Sequence, residues 1–255
     1  MKIKIATLVM IVIATHAGAQ LKPVTYSDGK QKLNGMFIAA AKTGSTNRSV
    51  LILPAWKGID SHSKDTAMKL SALGYHAFIA DIYGEGNYPK DTKEAGGKSG
   101  YYNKNFLDYQ RRISLALEQL IKSGADGRNI AIMGYCFGGT GAIEAARAGL
   151  PIKGVVSLHG GLGKDASRPS NPMTAKILVC HGADEIFVPK EEVLAFQQEM
   201  RDTKADWQMI YYADAVHSFT DPDAGNDKSK GVAYNANAAA RSWQHTLLFF
   251  DEVLN

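Results

Sequence analysis

The chain has 255 residues, of which 45% are apolar and 21% are charged, and its formal net charge at pH 7 is +4. This composition is ordinary for a globular protein and excludes a disordered chain, a collagen-like repeat and a multi-span membrane protein. Basic and acidic residues are interspersed, so there is no Lys/Arg-rich run of the kind that binds nucleic acid.

Residues 1–19 carry the three regions of an export signal in the required order. The segment has a basic start, an uninterrupted apolar run from Ile5 to Ala14, and the small-x-small site Ala17-Gly18-Ala19. A buried N-terminal strand or helix is the alternative, but it would not explain this order. The apolar run is too short to span a bilayer. We therefore expect cleavage after Ala19, a single domain over residues 20–255, and a secreted or periplasmic protein without membrane attachment.

Short β-rich runs follow along the chain. Val24 to Tyr26 and Leu33 to Ala39 flank Ser27-Asp28-Gly29, which predicts an antiparallel hairpin at a sheet edge. From residue 49 onward, the runs are continuously apolar, as in strands buried on both faces of a parallel sheet. These predicted strands are Val50 to Pro54, His76 to Asp81, Ile130 to Tyr135, Gly154 to His159, Ile177 to His181 and Gln208 to Tyr212.

Segments with helical periodicity alternate with these strands. Phe106 to Ile121, Val193 to Met200 and Trp243 to Leu254 each keep one apolar face, whose aromatic residues we interpret as core contacts. A regular βαβα order predicts an α/β protein with a doubly wound, mostly parallel sheet flanked by helices. Ligands bind such sheets at their carboxyl edge. The polar loops predicted to gather there span residues 84–105, 160–176 and 213–235.

The strongest local signal is a G-x-C-x-G turn between a predicted strand and a predicted helix. It consists of Gly134, Cys136 and Gly138 with their neighbours, and it is typical of a nucleophile elbow with sulfur in place of the usual serine oxygen. The glycines leave space at a sharp turn, and the positive end of the following helix favours a thiolate. The alternative is a buried structural cysteine on a glycine-rich turn.

A nucleophile elbow needs an acid and then a histidine, each just past a later strand. Asp184 and His217 follow the next-to-last and last predicted strands. The sequence therefore predicts a Cys136, Asp184 and His217 triad in which the histidine acts as the base and the acid orients it. The residues that remain as alternatives for the acid or the base are Glu185, Asp214, His159 and His181.

Backbone donors are also required, because acyl transfer passes through a tetrahedral oxyanion. The N–H of Phe137 at the helix start is one candidate, and the loop after the Val50 strand is expected to supply the other from Trp56. Cys180 lies in a predicted buried strand, so we expect two free thiols rather than a disulfide. Metal-ligand spacings such as H-E-x-x-H do not occur in the sequence. We predict neither a metal nor a cofactor.

These motifs resemble those of the dienelactone hydrolase family of α/β-hydrolases. The matching stretches are Gly134 to Gly139, His181 to Asp184 with Phe187-Val188-Pro189, and Val216 to Phe219. The resemblance covers nearly the whole chain after residue 19. It implies the α/β-hydrolase fold, and it places the family's triad and oxyanion donors on the residues already selected.

The chain departs from the family pattern near the expected pocket. The family often carries a glutamate before the oxyanion donor, where this chain has Ala55. Glu85 and Asp221 stand where relatives acting on dienelactone have carboxylate-binding arginines, which favours a neutral or cationic substrate. Lys57 could still bind an anionic one. The side chains expected to line the pocket are Lys57, Tyr83, Glu85, His159, Phe187, Phe219 and Asp221.

Together these features predict an exported, thiol-dependent enzyme that hydrolyses a small carboxylic ester or lactone through an acyl-cysteine intermediate. A thioesterase or an acyl transferase would use the same groups. A non-catalytic binding protein or a redox-thiol protein on this fold is a further alternative, but neither needs an acid and a histidine in triad order. We expect a monomer whose only partner is its small-molecule ester or lactone substrate.

Overall fold

An eight-stranded sheet runs through residues 20–41 and 47–254, which the computed structural model describes. Its strands are β1 (Lys22–Asp28), β2 (Gln31–Ile38), β3 (Ser49–Leu53), β4 (His76–Ile79), β5 (Ile130–Tyr135), β6 (Gly154–Leu158), β7 (Lys176–Gly182) and β8 (Trp207–Tyr212). Their spatial order is β1-β2-β4-β3-β5-β6-β7-β8. The β1–β2 and β2–β4 pairs are antiparallel, and the others are parallel. The predicted α/β fold and its edge hairpin are confirmed.

Helices cover both faces of this sheet. They are α1 (Ser61–Ala72), α2 (Thr92–Lys104), α3 (Phe106–Lys122), α4 (Phe137–Arg147), α5 (Lys190–Asp202) and α6 (Ala236–Val253). One hydrophobic core lies under α1 and α6, and the other lies under the remaining helices. Every residue of β3 and β5 is buried, because side chains on both faces of these central strands enter a core. This explains why their sequences are continuously apolar.

Helix α2 lies within a stretch that the sequence analysis predicted as a polar loop, so that prediction is wrong. Asp91 caps the helix by accepting a hydrogen bond from the N–H of Glu94 (2.8 Å). Three glycines in this helix disfavour a helical assignment. Packing outweighs that cost, because the ring of Tyr102 lies against the ring of Tyr109, with 5.7 Å between centroids.

The parallel strands end at one edge of the sheet, and the loops that follow them carry the predicted chemistry. Cys136 follows β5, the segment 183–189 follows β7, and His217 follows β8. None of the described helices combines the length and hydropathy that crossing a bilayer requires. The predicted export signal, residues 1–19, lies outside the described residues.

Candidate active site

A sharp turn at Cys136 joins β5 to α4. The backbone of Cys136 has φ 52° and ψ −115°, a conformation that residues other than glycine rarely adopt. Its N–H donates to the carbonyl oxygen of Leu158 at the end of β6 (3.0 Å). The strained turn leaves the thiol partly exposed at the carboxyl edge, as a nucleophile elbow requires.

Gly134 and Gly138 make this turn possible. A Cβ at Gly134 would overlap the backbone of Gly138. A Cβ at Gly138 would overlap the carbonyl oxygen of Leu53, where β3 ends. Because these neighbours are backbone atoms, they cannot move aside without shifting α4 or β3. The predicted role of the two glycines is confirmed.

We expect Gly138→Ala to lower the free energy of unfolding by about 3 kcal/mol, because the added methyl group forces α4 away from β3. Gly97→Ala is the matched control. Gly97 lies in α2 with open space around it, and alanine is the better helix former by about 1 kcal/mol, so this variant should be at least as stable as the parent. Urea unfolding measures both. A Gly138→Ala protein with parental stability would contradict the close approach of α4 to β3.

Three side chains from three loops form one hydrogen-bonded chain. Cys136 Sγ lies 3.0 Å from His217 Nε2, and His217 Nδ1 lies 2.7 Å from Glu185 Oε2. The other carboxylate oxygen of Glu185 accepts a hydrogen bond from the N–H of Phe187 (2.8 Å). The Glu185 side chain is fully buried, at 0% exposure. This is the arrangement of nucleophile, base and orienting acid that hydrolytic triads share.

The structure places Glu185 in the position of the acid, and the prediction of Asp184 is wrong. Asp184 is exposed, and the bond that ties it to the histidine loop runs from its backbone N–H to the carbonyl oxygen of Ala215 (3.0 Å). Successive side chains in this tight turn face opposite ways, so the turn directs residue 184 to solvent and residue 185 to His217. Asp214, the other alternative, is also exposed.

The hydrogen-bond partners of His217 favour its charged form. Burial disfavours its imidazolium, but the hydrogen bonds and negative charges of Cys136 and Glu185 outweigh burial and raise the pKa of His217 to about 10. Burial also acts against the Glu185 carboxylate, yet the bond from His217 holds the pKa of Glu185 below its ordinary value. An imidazolium within hydrogen-bond distance of Cys136 stabilises the thiolate form of that side chain.

Alkylation of Cys136 at different pH values tests whether its sulfur lies beside a charged His217. The raised pKa keeps His217 charged up to about pH 10, and the lowered pKa keeps Glu185 charged well below neutrality. We expect the rate of Cys136 alkylation by iodoacetamide to change by less than about threefold between about pH 6 and pH 9. The rate for an ordinary thiol rises about tenfold per pH unit below about 8.5.

Mass spectrometry of the labelled peptide measures this rate without interference from the second cysteine. Cys180 is buried, and burial raises its pKa to about 12. A tenfold increase in the labelling of Cys136 for each pH unit would show that its thiol is not paired with a charged histidine.

The two predicted oxyanion donors flank the elbow. Phe137 is the first residue of α4, and no described residue accepts a hydrogen bond from its N–H or from that of Trp56. The hydroxyl of Tyr83 donates to the carbonyl oxygen of Trp56 (2.6 Å). The ring of Tyr83 also stacks on that of Phe137, with centroids 5.9 Å apart. Tyr83 thus fixes the Trp56 loop relative to the start of α4, and the assignment of the two donors stays a prediction.

Two of the predicted pocket residues lie beside the triad. The ring of Phe187 is 5.4 Å from that of His217, and its side chain is 55% exposed, so it is accessible to a substrate. His159 is buried with its ring 5.3 Å from His217, under the histidine rather than on the surface of the cleft. Lys57 is exposed on the loop that carries Trp56.

Tyr83 and Phe219 are buried and do not line a cavity with the triad, in contrast to the prediction. Tyr83 borders a different cavity of about 210 Å³, together with Tyr101 and Tyr102 of α2. Tyr83 is buried and contacts both residues of the proposed oxyanion hole, through its ring at Phe137 and its hydroxyl at Trp56. Phe219 has 0% exposure and packs against His159 and Tyr212. The loops that carry these two residues direct their apolar side chains into the cores. Both rings therefore pack beneath the residues of the site and do not face a substrate.

The two carboxylates predicted to face the substrate are also placed elsewhere. Glu85 pairs with Lys32 (2.8 Å) and Asn34 (3.1 Å) on β2, three strands away from β5. Asp221 lines a separate cavity of about 420 Å³, whose walls come mainly from α1, α6 and the loop before α6. Its carboxylate accepts a hydrogen bond from the N–H of Asp223 (2.9 Å). The expected preference for a cationic substrate thus loses its basis in these two residues.

A buried ion network that was not predicted from the sequence holds the loop after β6 against α4 and α5. Arg147 pairs with Glu144 (2.9 Å) and Glu199 (2.7 Å), and Arg168 pairs with Glu144 (2.8 Å). Glu144 and Arg147 are three residues apart on α4. Their partners Glu199 and Arg168 come from separate segments, so spacing along the chain gives no signal for the wider network. It supports the wall of the cleft on the side of Phe187, where Glu144, Arg168 and Phe187 line a cavity of about 550 Å³.

Both cysteines are free thiols, as predicted. Cys180 is buried in β7 and accepts a hydrogen bond from the hydroxyl of Tyr212 (3.5 Å). Within the part of the chain that the structure describes, no group of three or more histidine, cysteine, aspartate or glutamate side chains could hold a metal ion.

The family model and the similar proteins point to the same family. The model of the dienelactone hydrolase family matches residues 36–254. A solved dienelactone hydrolase-like promiscuous phosphotriesterase from metagenomic libraries is similar over 94% of this chain and 100% of its own, with 35% identity and a TM-score of 0.86. A putative carboxymethylenebutenolidase of Yersinia pestis is 25% identical over 80% of this chain and 77% of its own. The carboxymethylenebutenolidase of Rhodococcus opacus is 23% identical over 85% of each chain.

Proposed function

We propose that this chain, which belongs to the dienelactone hydrolase family and is a hydrolase of carboxylic esters or lactones, acts through an acyl-cysteine intermediate on Cys136. The observation that carries the proposal is the unbroken chain of hydrogen bonds from Cys136 through His217 to a fully buried Glu185. In such a hydrogen-bonded triad, the histidine moves one proton between the nucleophile and the leaving group, and the acid fixes the tautomer of the histidine.

In the acylation step, the Cys136 thiolate attacks the carbonyl carbon of the ester, and its former proton resides on His217 Nε2. The electron pair of the carbonyl moves onto its oxygen, which the N–H groups of Phe137 and Trp56 stabilise. Collapse of this intermediate breaks the bond to the leaving oxygen, and His217 donates its proton there. A thioester remains on Cys136, and with a lactone the new alcohol stays attached to the acyl group.

Water completes the cycle by attacking the thioester carbonyl while His217 Nε2 accepts its proton. The C–S bond then breaks and a carboxylic acid is released. The sulfur of Cys136 leaves with the bonding electron pair and lies again beside the protonated Nε2 of His217, so the starting arrangement is restored. The net reaction consumes one ester and one water and yields one acid and one alcohol.

For the substrate, we propose a small neutral ester or lactone. Phe187 is exposed with its ring 5.4 Å from that of His217, so apolar surface borders the triad on this side. A ligand carboxylate held there would need a paired cation. The positions where the family resemblance expects arginines hold Glu85 and Asp221, and both lie away from Cys136.

We also propose that the protein is exported and acts outside the cytoplasm. The support is the order of basic, apolar and small-residue regions in residues 1–19. N-terminal sequencing of protein expressed from the full-length gene should begin at Gln20. Recovery of the folded protein with an intact Met1 would overturn export.

Rapid-mixing kinetics and mass spectrometry test the acyl-cysteine. With a p-nitrophenyl ester in excess, we expect a burst of about one equivalent of nitrophenol per enzyme if deacylation limits turnover. Acid-quenched protein should carry one acyl group, mapped to the peptide that contains Cys136. An acyl group on a different residue would contradict the mechanism. Added alcohol distinguishes hydrolysis from acyl transfer, because an acyl transferase would form the new ester in preference to the free acid.

A further inference from the structure

His159 links the two loops that carry the nucleophile and the base. Its Nδ1 accepts a hydrogen bond from the backbone N–H of Cys136 (3.2 Å), which is shared with the carbonyl oxygen of Leu158 (3.0 Å). Its Nε2 lies 2.8 Å from Oγ1 of Thr220, and Thr220 follows His217 in the same loop. One imidazole ring therefore bridges the elbow of Cys136 and the segment of His217.

The direction of each hydrogen bond follows from the donor at Cys136. A backbone N–H can only donate, so Nδ1 of His159 is the unprotonated nitrogen and Nε2 carries the proton. Nε2 therefore donates to the hydroxyl oxygen of Thr220. The Thr220 hydroxyl is then free to donate to His62 Nε2, which lies 3.4 Å away on α1. Both hydrogen bonds of His159 therefore require the tautomer that carries its proton on Nε2.

His159 also has to stay neutral. It is 2% exposed, and burial, together with the nearby His217, His62 and His181, holds the pKa of His159 well below its ordinary value. These three histidines are the titratable groups that act on it most strongly. A charged ring at this position would repel the imidazolium of His217, which lies 5.3 Å away, and would lose the bond from Cys136.

We propose that His159 is a positioning residue that sets the distance between Cys136 Sγ and His217 Nε2. It does not touch the reacting atoms. By binding the elbow with one nitrogen and the histidine loop with the other, it prevents the two loops from moving apart. The kinetic consequence rests on the proposed acyl-cysteine function, whereas the effect on the thiol and imidazole pair does not.

Substitution of Thr220 tests the bridge without altering either catalytic side chain. Thr220→Val keeps the shape but removes the acceptor, and Thr220→Ser restores a hydroxyl. For Thr220→Val we expect kcat to fall about tenfold with KM changed by less than about twofold. We also expect Cys136 alkylation to become slower at pH 6 and to rise with pH. Thr220→Ser should recover most of both properties.

Thr66→Val is the matched control, because the Thr66 hydroxyl is buried and bonds the Tyr135 hydroxyl next to the elbow (3.0 Å) without belonging to the bridge. Thr66→Val should lower Tm about as much as Thr220→Val does, because each variant loses one buried hydroxyl. It should leave the rate of Cys136 alkylation independent of pH, as in the parent. The inference is overturned if Thr66→Val alters that profile as much as Thr220→Val, or if Thr220→Val leaves both kcat and the profile unchanged. If the parent shows the flat profile but no ester turnover, the proposed function fails, and alkylation alone still decides the role of His159.

Discussion

Replacement of Cys136 by alanine should lower kcat/KM for a chromogenic ester by at least about a thousandfold. The thiol is the only group at the elbow that can form the covalent intermediate, and the N–H groups and His217 that remain can stabilise only a slow direct attack by water. Binding should be affected less, so KM or an inhibitor constant should change by less than about threefold. Steady-state kinetics on purified protein measures both parameters.

Cys180→Ala is the matched control for this experiment. Cys180 is the other cysteine of the chain, and it is fully buried in β7. Its truncation should cost about 1 kcal/mol of stability through lost packing and leave kcat/KM within about twofold. If Cys136→Ala turned over the ester at the parental rate, hydrolysis would not proceed through this thiol.

Replacement of Glu185 by glutamine should lower kcat by about a thousandfold or more. The amide is nearly isosteric, but it can hold His217 in the wrong tautomer and it carries no charge to stabilise the imidazolium. Because Glu185 is one of the two groups that raise the pKa of His217, this pKa should fall in the variant. Alkylation of Cys136 should then slow near neutrality and acquire a pH dependence.

Asp184→Asn provides a control at the adjacent position. The Asp184 side chain is exposed, and the structure ties this residue to the loop of His217 through its backbone N–H. The variant should keep kcat within about threefold of the parent. A large loss in Asp184→Asn combined with a small loss in Glu185→Gln would return the role of the acid to Asp184.

The strands of the fold could be predicted because their sequence pattern has a direct physical cause. β3 and β5 are buried on both faces, so their residues are continuously apolar, and β5 was predicted with the bounds that the structure shows. Helix α2 could not be predicted in the same way. Its stability comes from packing of Tyr102 against residues distant in sequence, which outweighs the cost of its glycines.

The candidate active site could be predicted to the level of its loops but not to the level of every side chain. The elbow fixes Cys136 because glycines are needed at particular positions around it. The loop after β7 carries two adjacent acids, and the order of motifs along the chain does not state which of them faces His217. That choice depends on the turn between Gly182 and Val188.

The side chains of the predicted pocket also could not be oriented from the sequence. Tyr83, Glu85, Phe219 and Asp221 all follow strands that end at the correct edge. Their side chains, however, point into the cores, toward β2 or toward the cavity beside α1 and α6. A strand end determines where a residue lies, whereas neighbouring charges and apolar surfaces determine where its side chain goes.

The placement of Cys136 and His217 has a consequence for how the protein folds. The two residues are 81 positions apart in the chain, and their contact requires β5 to β8 to be paired in the correct register. Pairing two parallel strands closes a long loop, and the entropy cost of that closure comes before the contacts that compensate for it. Such sheets therefore form slowly. The contact between Cys136 and His217 therefore forms in the last stage of folding, and we expect a collapsed chain with most of its helices to be inactive. Recovered activity thus reports completion of the sheet more strictly than recovered helicity does.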